Sequence, residues 1–300
     1  MTVNSRVAII TGASQGIGAA IARRLAKDGL DLALADLEGA QPALAKLVAE
    51  LNAGGGKAIA VTCDVRSKED VDALVEKAAA ELGRVDVMIA NAGIAPVGPF
   101  LDVSVETMDN LHAVNVRGVF LCYQAAARQM IKQGGGGKLI AACSTAGWQG
   151  YPGFSMYSAT KFAVRSLNQS AAKELGRHNI TCNVYCPSPV DTQMWTDIDK
   201  TLSAQLGGQQ GAITEARLKV TPMGRLVQAT DVANLVSFLV GPDSNFISGE
   251  SIVVSVSGAG GGGLRRERVG RAAQDGGTLT PGRGLGRLKI WYRRTGRPGR

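Results

Sequence analysis

The chain has 300 residues, 45% of them hydrophobic and 19% charged, with 39 glycines and few aromatics, which allows one large α/β domain or two small ones. Its formal charge of +8 is local: residues 264–300 carry ten Arg and one Lys against Glu267 and Asp275, so the remainder is near neutral and the basic balance says nothing about a substrate. Five cysteines without a C-x-x-C pair, two histidines, no leader segment and no run of 18 apolar residues argue against a zinc site, a disulfide framework and a membrane span. A soluble cytoplasmic protein is expected.

The first element is the apolar run Arg6-Val7-Ala8-Ile9-Ile10, of the kind that forms a buried parallel strand. It leads into Thr11-Gly12-Ala13-Ser14-Gln15-Gly16-Ile17-Gly18 and then into a helical stretch at 16–28. Strand, glycine turn and helix in that order form the context of a dinucleotide site. The glycines let the backbone approach a pyrophosphate, and the helix N-terminus supplies free N–H groups and a partial positive charge. A second strand, 31–36, ends on Asp36. A carboxylate there accepts hydrogen bonds from a ribose diol and repels a 2′-phosphate, and neither Gln15 nor Leu37 beside it is basic. NAD(H) is therefore favoured over NADP(H).

Further strand-like runs follow at 57–63, 85–90, 138–143, 179–186 and 250–256. Helical stretches separate them at 40–53, 67–82, 104–133 (broken near 112), 156–177 and 229–240. Such alternation predicts a doubly wound, mostly parallel sheet with helices on both faces. Residues 188–228 interrupt it and read as a helical lid, with a mobile-looking glycine stretch at 206–211. Residues 258–300 form a Gly/Arg-rich tail without hydrophobic periodicity, for which disorder is expected. A nucleic-acid role for that tail, with Trp291 and Tyr292 to stack on bases, is the less favoured reading.

Tyr157 and Lys161 are four residues apart within the 156–177 stretch, and so share a helix face. A free tyrosine ionises near pH 10 and is a poor base at neutral pH; an adjacent ammonium favours the phenolate and makes the group a usable proton donor and acceptor. Ser144, thirteen residues upstream, can offer a hydroxyl to the same reacting oxygen. His112 and His178 stand apart from these signatures, and neither they nor Cys143 is assigned a role.

Together these residues resemble the short-chain dehydrogenase/reductase family over residues 5 to about 257. The signatures occur in the family's order: the glycine turn at 11–18, Asp64-Val65, Asn91-Ala92-Gly93, Asn115, then Ser144 with Tyr157 and Lys161. The resemblance implies a single Rossmann-type domain over 1–257 with about seven strands in the order 3-2-1-4-5-6-7. It implies cofactor contacts from Gly12, Gln15, Gly16, Ile17, Gly18, Asp36, Asp64, Val65, Asn91, Gly93, Tyr157, Lys161, Pro187, Val190 and Thr192. It further implies Tyr157 as proton donor, Ser144 polarising the carbonyl, Lys161 holding ribose hydroxyls and lowering the tyrosine pKa, and Asn115 placing a water behind the lysine. A homo-oligomer, dimer or tetramer, is the family's usual state. Ser188 stands where the family usually has Gly.

Within the family, Gln15, the stretch 137–144, the stretch 157–165 and Met194-Trp195-Thr196-Asp197-Ile198-Asp199 look like acetoin/diacetyl reductases (2,3-butanediol dehydrogenases). Trp148, Met194, Trp195 and Ile198, with Ser144 and Tyr157, are the expected substrate contacts, suited to a short dicarbonyl or hydroxyketone. Thr145 occupies a position where those reductases often carry Gln. Three readings remain: a reductase of small vicinal carbonyls; another short-chain oxidoreductase, acting on a polyol, 3-oxoacyl or secondary-metabolite ketone; and a non-catalytic NAD sensor with a nucleic-acid-binding tail. An intact Ser144–Tyr157–Lys161 set argues against the last.

Overall fold

The structure, a computed structural model, describes residues 5–256; the expectations for the tail at 258–300 lie outside the described residues. Seven strands form one sheet: β1 (Val7–Thr11), β2 (Asp31–Asp36), β3 (Ala58–Thr62), β4 (Val87–Ala90), β5 (Gly137–Ala142), β6 (Ile180–Pro187) and β7 (Ser251–Val254). Their order is β3-β2-β1-β4-β5-β6-β7, and every pairing is parallel. This is the doubly wound architecture and strand order expected. The β-branched, apolar character of β1 follows from burial on both faces, every residue being inaccessible.

Nine helices among the described residues connect the strands: α1 (Gly16–Lys27), α2 (Gln41–Ala53), α3 (Lys68–Leu82), α4 (Val105–His112), α5 (Gly118–Gln133), α6 (Ser155–Leu175), α7 (Gln193–Gln205), α8 (Ala212–Val220) and α9 (Ala229–Val240). Two apolar cores result. On one face α3, α5 and α6 pack Leu74, Ala126 and Val164 against Ile9, Met88 and Leu139. On the other α1, α2 and α9 pack Ile21, Leu44 and Val236 against Ile10, Leu34 and Ile140. Local signals set helix boundaries. Ser67 caps α3 by accepting from the Asp70 amide at 3.1 Å, and Gly83 closes it in the left-handed region at φ 91°.

The break foreseen near residue 112 is a π-helical turn, Ala113–Arg117, between α4 and α5. Such turns widen a helix by one residue per turn and re-aim a side chain; here the re-aimed, fully buried residue is Asn115. The 188–228 segment contains α7 and α8, fastened at its base by a parallel bridge between Val190 and Val227. Ser188 does not have positive φ, and its N–H donates to Val254 O at 3.1 Å. The turn after β6 thus closes without the conformational freedom of glycine. Among the described residues no helix is long and apolar enough to cross a membrane.

Candidate active site

The carboxyl ends of the parallel strands hold nearly every residue singled out from sequence, as the topology requires. Gly12 follows β1, Asp36 ends β2, Asn91 follows β4, Ser144 follows β5, and Pro187 ends β6. The glycine turn is built against backbone. A Cβ at Gly18 would lie 2.1 Å from Gly12 O, and one at Gly12 (φ 62°) 2.9 Å from Ala92 Cα. Gly16, at φ 55°, faces Thr192, whose Cγ2 would lie 3.5 Å from a Cβ there. The glycine turn and the segment after β6 therefore form opposite walls of one cleft.

Helix α1 begins inside this cleft. Its N-cap, Gln15, makes no side-chain capping bond, and its first turn holds no acidic residue. Its amides and positive end are left for an anionic group. Asp36 accepts from Ser14 N at 3.0 Å and from Leu37 N at 2.9 Å, so its carboxylate is fixed at the rim. A backbone cradle without room for a Cβ at Gly12 or Gly18, an uncapped helix start and a rim carboxylate fit a nicotinamide dinucleotide.

Asn91 supports the sheet beneath the glycine turn. Its Nδ2 donates to Thr11 O (2.9 Å) and Gly12 O (3.0 Å), and its Oδ1 accepts from Tyr185 OH at 2.8 Å. The amide is spent on holding the glycine turn to β4 and β6. Val65 is buried, with Cγ2 only 2.8 Å from a Cβ built at Gly118. The Asp64 carboxylate is paired with Arg66 at 2.6 Å, and that hydrogen bond holds its pKa below the usual range. Pro187 and Val190 are buried, and Thr192 Oγ1 donates to Val190 O at 3.2 Å. Ile17 is partly buried on α1, packed against the second core.

The reactive groups meet around Gly93. A Cβ there would lie 3.3 Å from Asn115 Oδ1 and 3.7 Å from Lys161 Nζ. Asn115 clamps the strand-4 loop, accepting from Ile94 N and donating to Ile94 O, both at 2.9 Å, and its Nδ2 also reaches Thr160 Oγ1 at 3.2 Å. Lys161 is buried and donates to Ala142 O at 3.0 Å; its Nζ lies 5.5 Å from the Tyr157 ring centroid. Burial lowers its pKa. Ser144 accepts from Ala146 N at 3.1 Å, which fixes the short 3₁₀ turn Thr145–Gly147.

Burial pushes the Tyr157 phenol up, with a hydrogen bond to Ser144 pulling the other way. Desolvation is the largest influence on the phenol in this geometry, and the Lys161 ammonium gives one of its three protons to the Ala142 carbonyl.

Several contributors were not singled out from sequence. Tyr151, Phe154 and Tyr157 form an edge-to-face series, with centroids 6.5 Å and 6.1 Å apart; their i, i+3 spacing in Tyr151-Pro152-Gly153-Phe154-Ser155-Met156-Tyr157 was the available signal. Cys143, set aside earlier, packs under α6 with Sγ 3.4 Å from Lys161 O. Trp148 lies against α6, with the Arg165 guanidinium 3.7 Å from its ring centroid, and Arg165 donates to Gly147 O at 2.7 Å. The structure thus attaches Trp148 to α6 rather than to the lid.

On the lid, Ile198 is buried, Trp195 partly so, and Met194 is 45% exposed. Asp199 on the lid is 2% exposed. Burial works to raise its pKa, but donors from Thr214, Gly211 and Ser203 outweigh that and hold the carboxyl below its usual value. His112 Nδ1 engages Met108 O at 2.9 Å and His178 contacts Arg177, both away from the cleft residues.

A dinucleotide cradle and a Tyr–Lys–Ser group at the carboxyl edge of one doubly wound sheet define an oxidoreductase that interconverts alcohols and carbonyls with a nicotinamide cofactor. The chain belongs to the short-chain dehydrogenase/reductase family, whose model, described as short chain dehydrogenase, matches residues 6–203. It is 43% identical over 250 residues to a diacetyl reductase [(S)-acetoin forming] of Staphylococcus epidermidis, covering 83% of this chain and 96% of that protein. It is 42% identical over 250 residues to an L-2,3-butanediol dehydrogenase of Corynebacterium glutamicum, covering 83% and 97%. Among solved structures, it is similar to a blue fluorescent protein from a metagenomic library in complex with NADPH. The TM-score is 0.75 at 34% identity, covering 85% of this chain and 98% of that one.

Proposed function

We propose that the protein reduces a small carbonyl compound of the diacetyl or acetoin kind with NADH, or oxidises the matching alcohol. The observation that carries the reading is the convergence of Lys161 and Asn115 beside Gly93, with the Tyr157 ring centroid 5.5 Å from Lys161 Nζ and Ser144 acting to lower the pKa of the Tyr157 phenol. The two relatives named above support the substrate class. The cofactor, when bound, supplies or accepts the hydride. Gly12, Gly16, Ile17 and Gly18 would hold its pyrophosphate, Asp36 its adenosine ribose, and Val190 and Thr192 its nicotinamide amide.

The chain's own groups do the rest. Ser144 and Tyr157 donate hydrogen bonds to the substrate oxygen, and Tyr157 gives up its proton as charge develops there. Burial keeps the phenol protonated near neutral pH, the form that reduction requires. Lys161, held by Ala142 O, places a positive charge next to the phenolate left behind. Asn115 keeps the strand-4 loop in register with α6, so the lysine pocket keeps its shape.

NADH oxidation with diacetyl and acetoin, run beside NADPH, tests this reading, and turnover confined to larger ketones would discard the substrate class. The Asp36 argument has its own check. Asp36→Ala is expected to lower the NADH-over-NADPH ratio of kcat/KM by at least about tenfold, since a ribose hydrogen bond is lost and repulsion of a 2′-phosphate is relieved. An unchanged ratio would remove Asp36 as the discriminator.

We also propose a homo-oligomer. Phe120 and Ile131 on α5 and Phe162 on α6 are each more than two-fifths exposed, apolar surface on two helices that a second copy of the chain could cover. Light scattering is expected to give a dimer or tetramer, and a strict monomer across the micromolar range would sink the idea.

A further inference from the structure

We infer that Thr214 and Asp199 form a relay that locks the Trp195 indole above the substrate, so that Thr214, without touching the substrate itself, is a positioning residue for carbonyl recognition. The inference rests on the substrate-facing lid proposed above.

Helix α7 crosses the cleft from end to end. Near its start Thr192 faces Gly16 of the glycine turn, and near its end Leu202 Cδ2 would lie 3.0 Å from a Cβ built at Gly153, in the loop that carries Tyr151 and Phe154. Residues 192, 195, 199 and 202 follow helical spacing along one face. Trp195 is therefore on the roof between the cofactor cradle and the aromatic series.

The indole is fixed by one hydrogen bond, Nε1 donating to Thr214 Oγ1 at 2.9 Å. Thr214 Oγ1 in turn donates to Asp199 Oδ2 in a short hydrogen bond. The directions are forced. An indole N–H can only donate, a carboxylate can only accept, and a hydroxyl has a single proton, which goes to Asp199 and leaves its lone pair for Trp195.

Asp199 is held independently of this hydroxyl. It accepts from Thr214 N at 2.7 Å, Gly211 N at 2.5 Å and Ser203 Oγ at 3.1 Å. Gly211, the N-cap of α8 at φ 98°, has no side chain with which to cap its helix. Asp199 supplies that cap from α7, where a carboxylate also meets the positive end of the helix. The lid fold thus survives loss of the Thr214 hydroxyl, whereas the orientation of the indole does not.

Thr214→Val keeps the shape and the backbone amide but can neither accept from Trp195 nor donate to Asp199. It is expected to raise KM for the carbonyl about tenfold, the usual consequence of orphaning a buried donor, with kcat and the KM for NADH changed less than about twofold. Thr214→Ser is expected to restore the wild-type value. In a Trp195→Phe background, which cannot donate, Thr214→Val is expected to have no further effect.

Equal losses in all three constants, or a Thr214→Val effect that persists in the Phe background, would show a merely structural role and overturn the relay; so would an unchanged carbonyl KM. If the wild type reduces another ketone of the panel but not diacetyl, the substrate reading fails while the same cycle, run with that ketone, still decides the relay.

Discussion

Tyr157→Phe is expected to lower carbonyl reduction by about 10²–10⁴-fold, the range associated with losing a positioned proton donor, while NADH still binds with nearly wild-type affinity. Phe retains the ring, and with it the edge-to-face contact to Phe154 at 6.1 Å, so packing is conserved. What disappears is the one O–H able to protonate the substrate oxygen. Lys161 is not expected to replace it, because its Nζ lies 5.5 Å from the centre of the ring and donates to Ala142 O at 3.0 Å. Ser144 is a hydroxyl already accepting from Ala146 N, and no base stands behind it to accept its proton. Steady-state turnover with an NADH fluorescence titration separates the two effects. A variant that retains more than about a tenth of wild-type turnover would remove Tyr157 from the proton-transfer role.

The second large effect is expected at Gly18. A methyl group there would lie 2.1 Å from Gly12 O, 2.8 Å from Asn91 Nδ2 and 2.9 Å from Ala13 Cα. Two of these are backbone, and the third is an amide already committed to two carbonyls and a phenol. None is the loose end of a flexible side chain, so relief requires α1 to move away from the turn. Gly18→Ala is expected to cost about 1–3 kcal/mol or more by overpacking, a drop of roughly 3–10 °C in Tm for a domain of this size. Because the shift opens the pyrophosphate cradle, NADH affinity is expected to fall at least tenfold as well. A thermal melt and a cofactor titration check both, and an unchanged melting curve would contradict the close approach.

The doubly wound sheet and the helix placement were legible because strand and helix patterns alternate along most of the chain, and the strand order through the family resemblance. Asn115 was legible too, through the resemblance, although its means of action lies in a π turn that no periodicity announces. Other features were hidden for physical reasons. The occupation of Asn91 depends on a tyrosine 94 residues away, a contact visible only once β4 and β6 come within reach of each other. The commitment of Lys161 to a carbonyl depends on the exact approach of α6 to β5. Asp199 reads in sequence as one more polar residue on a helix. The clue to its importance was a missing one: a glycine at the N-cap of α8 means that the cap must come from elsewhere.

The Asn91 side chain joins Thr11, the last residue of β1, and Gly12 after it to Tyr185 on β6, so the floor beneath the cofactor and the floor beneath the reacting carbonyl are one plate. The two ends of the lid segment are joined at a narrow neck, Val190 beside Val227. Change in the two regions is thereby separated. Substitutions in α7 and α8, beyond the Thr192 that faces the glycine turn, are expected to reshape the substrate chamber with little effect on the hydride geometry, and a graft of those two helices from a relative is expected to carry substrate preference while leaving cofactor preference behind.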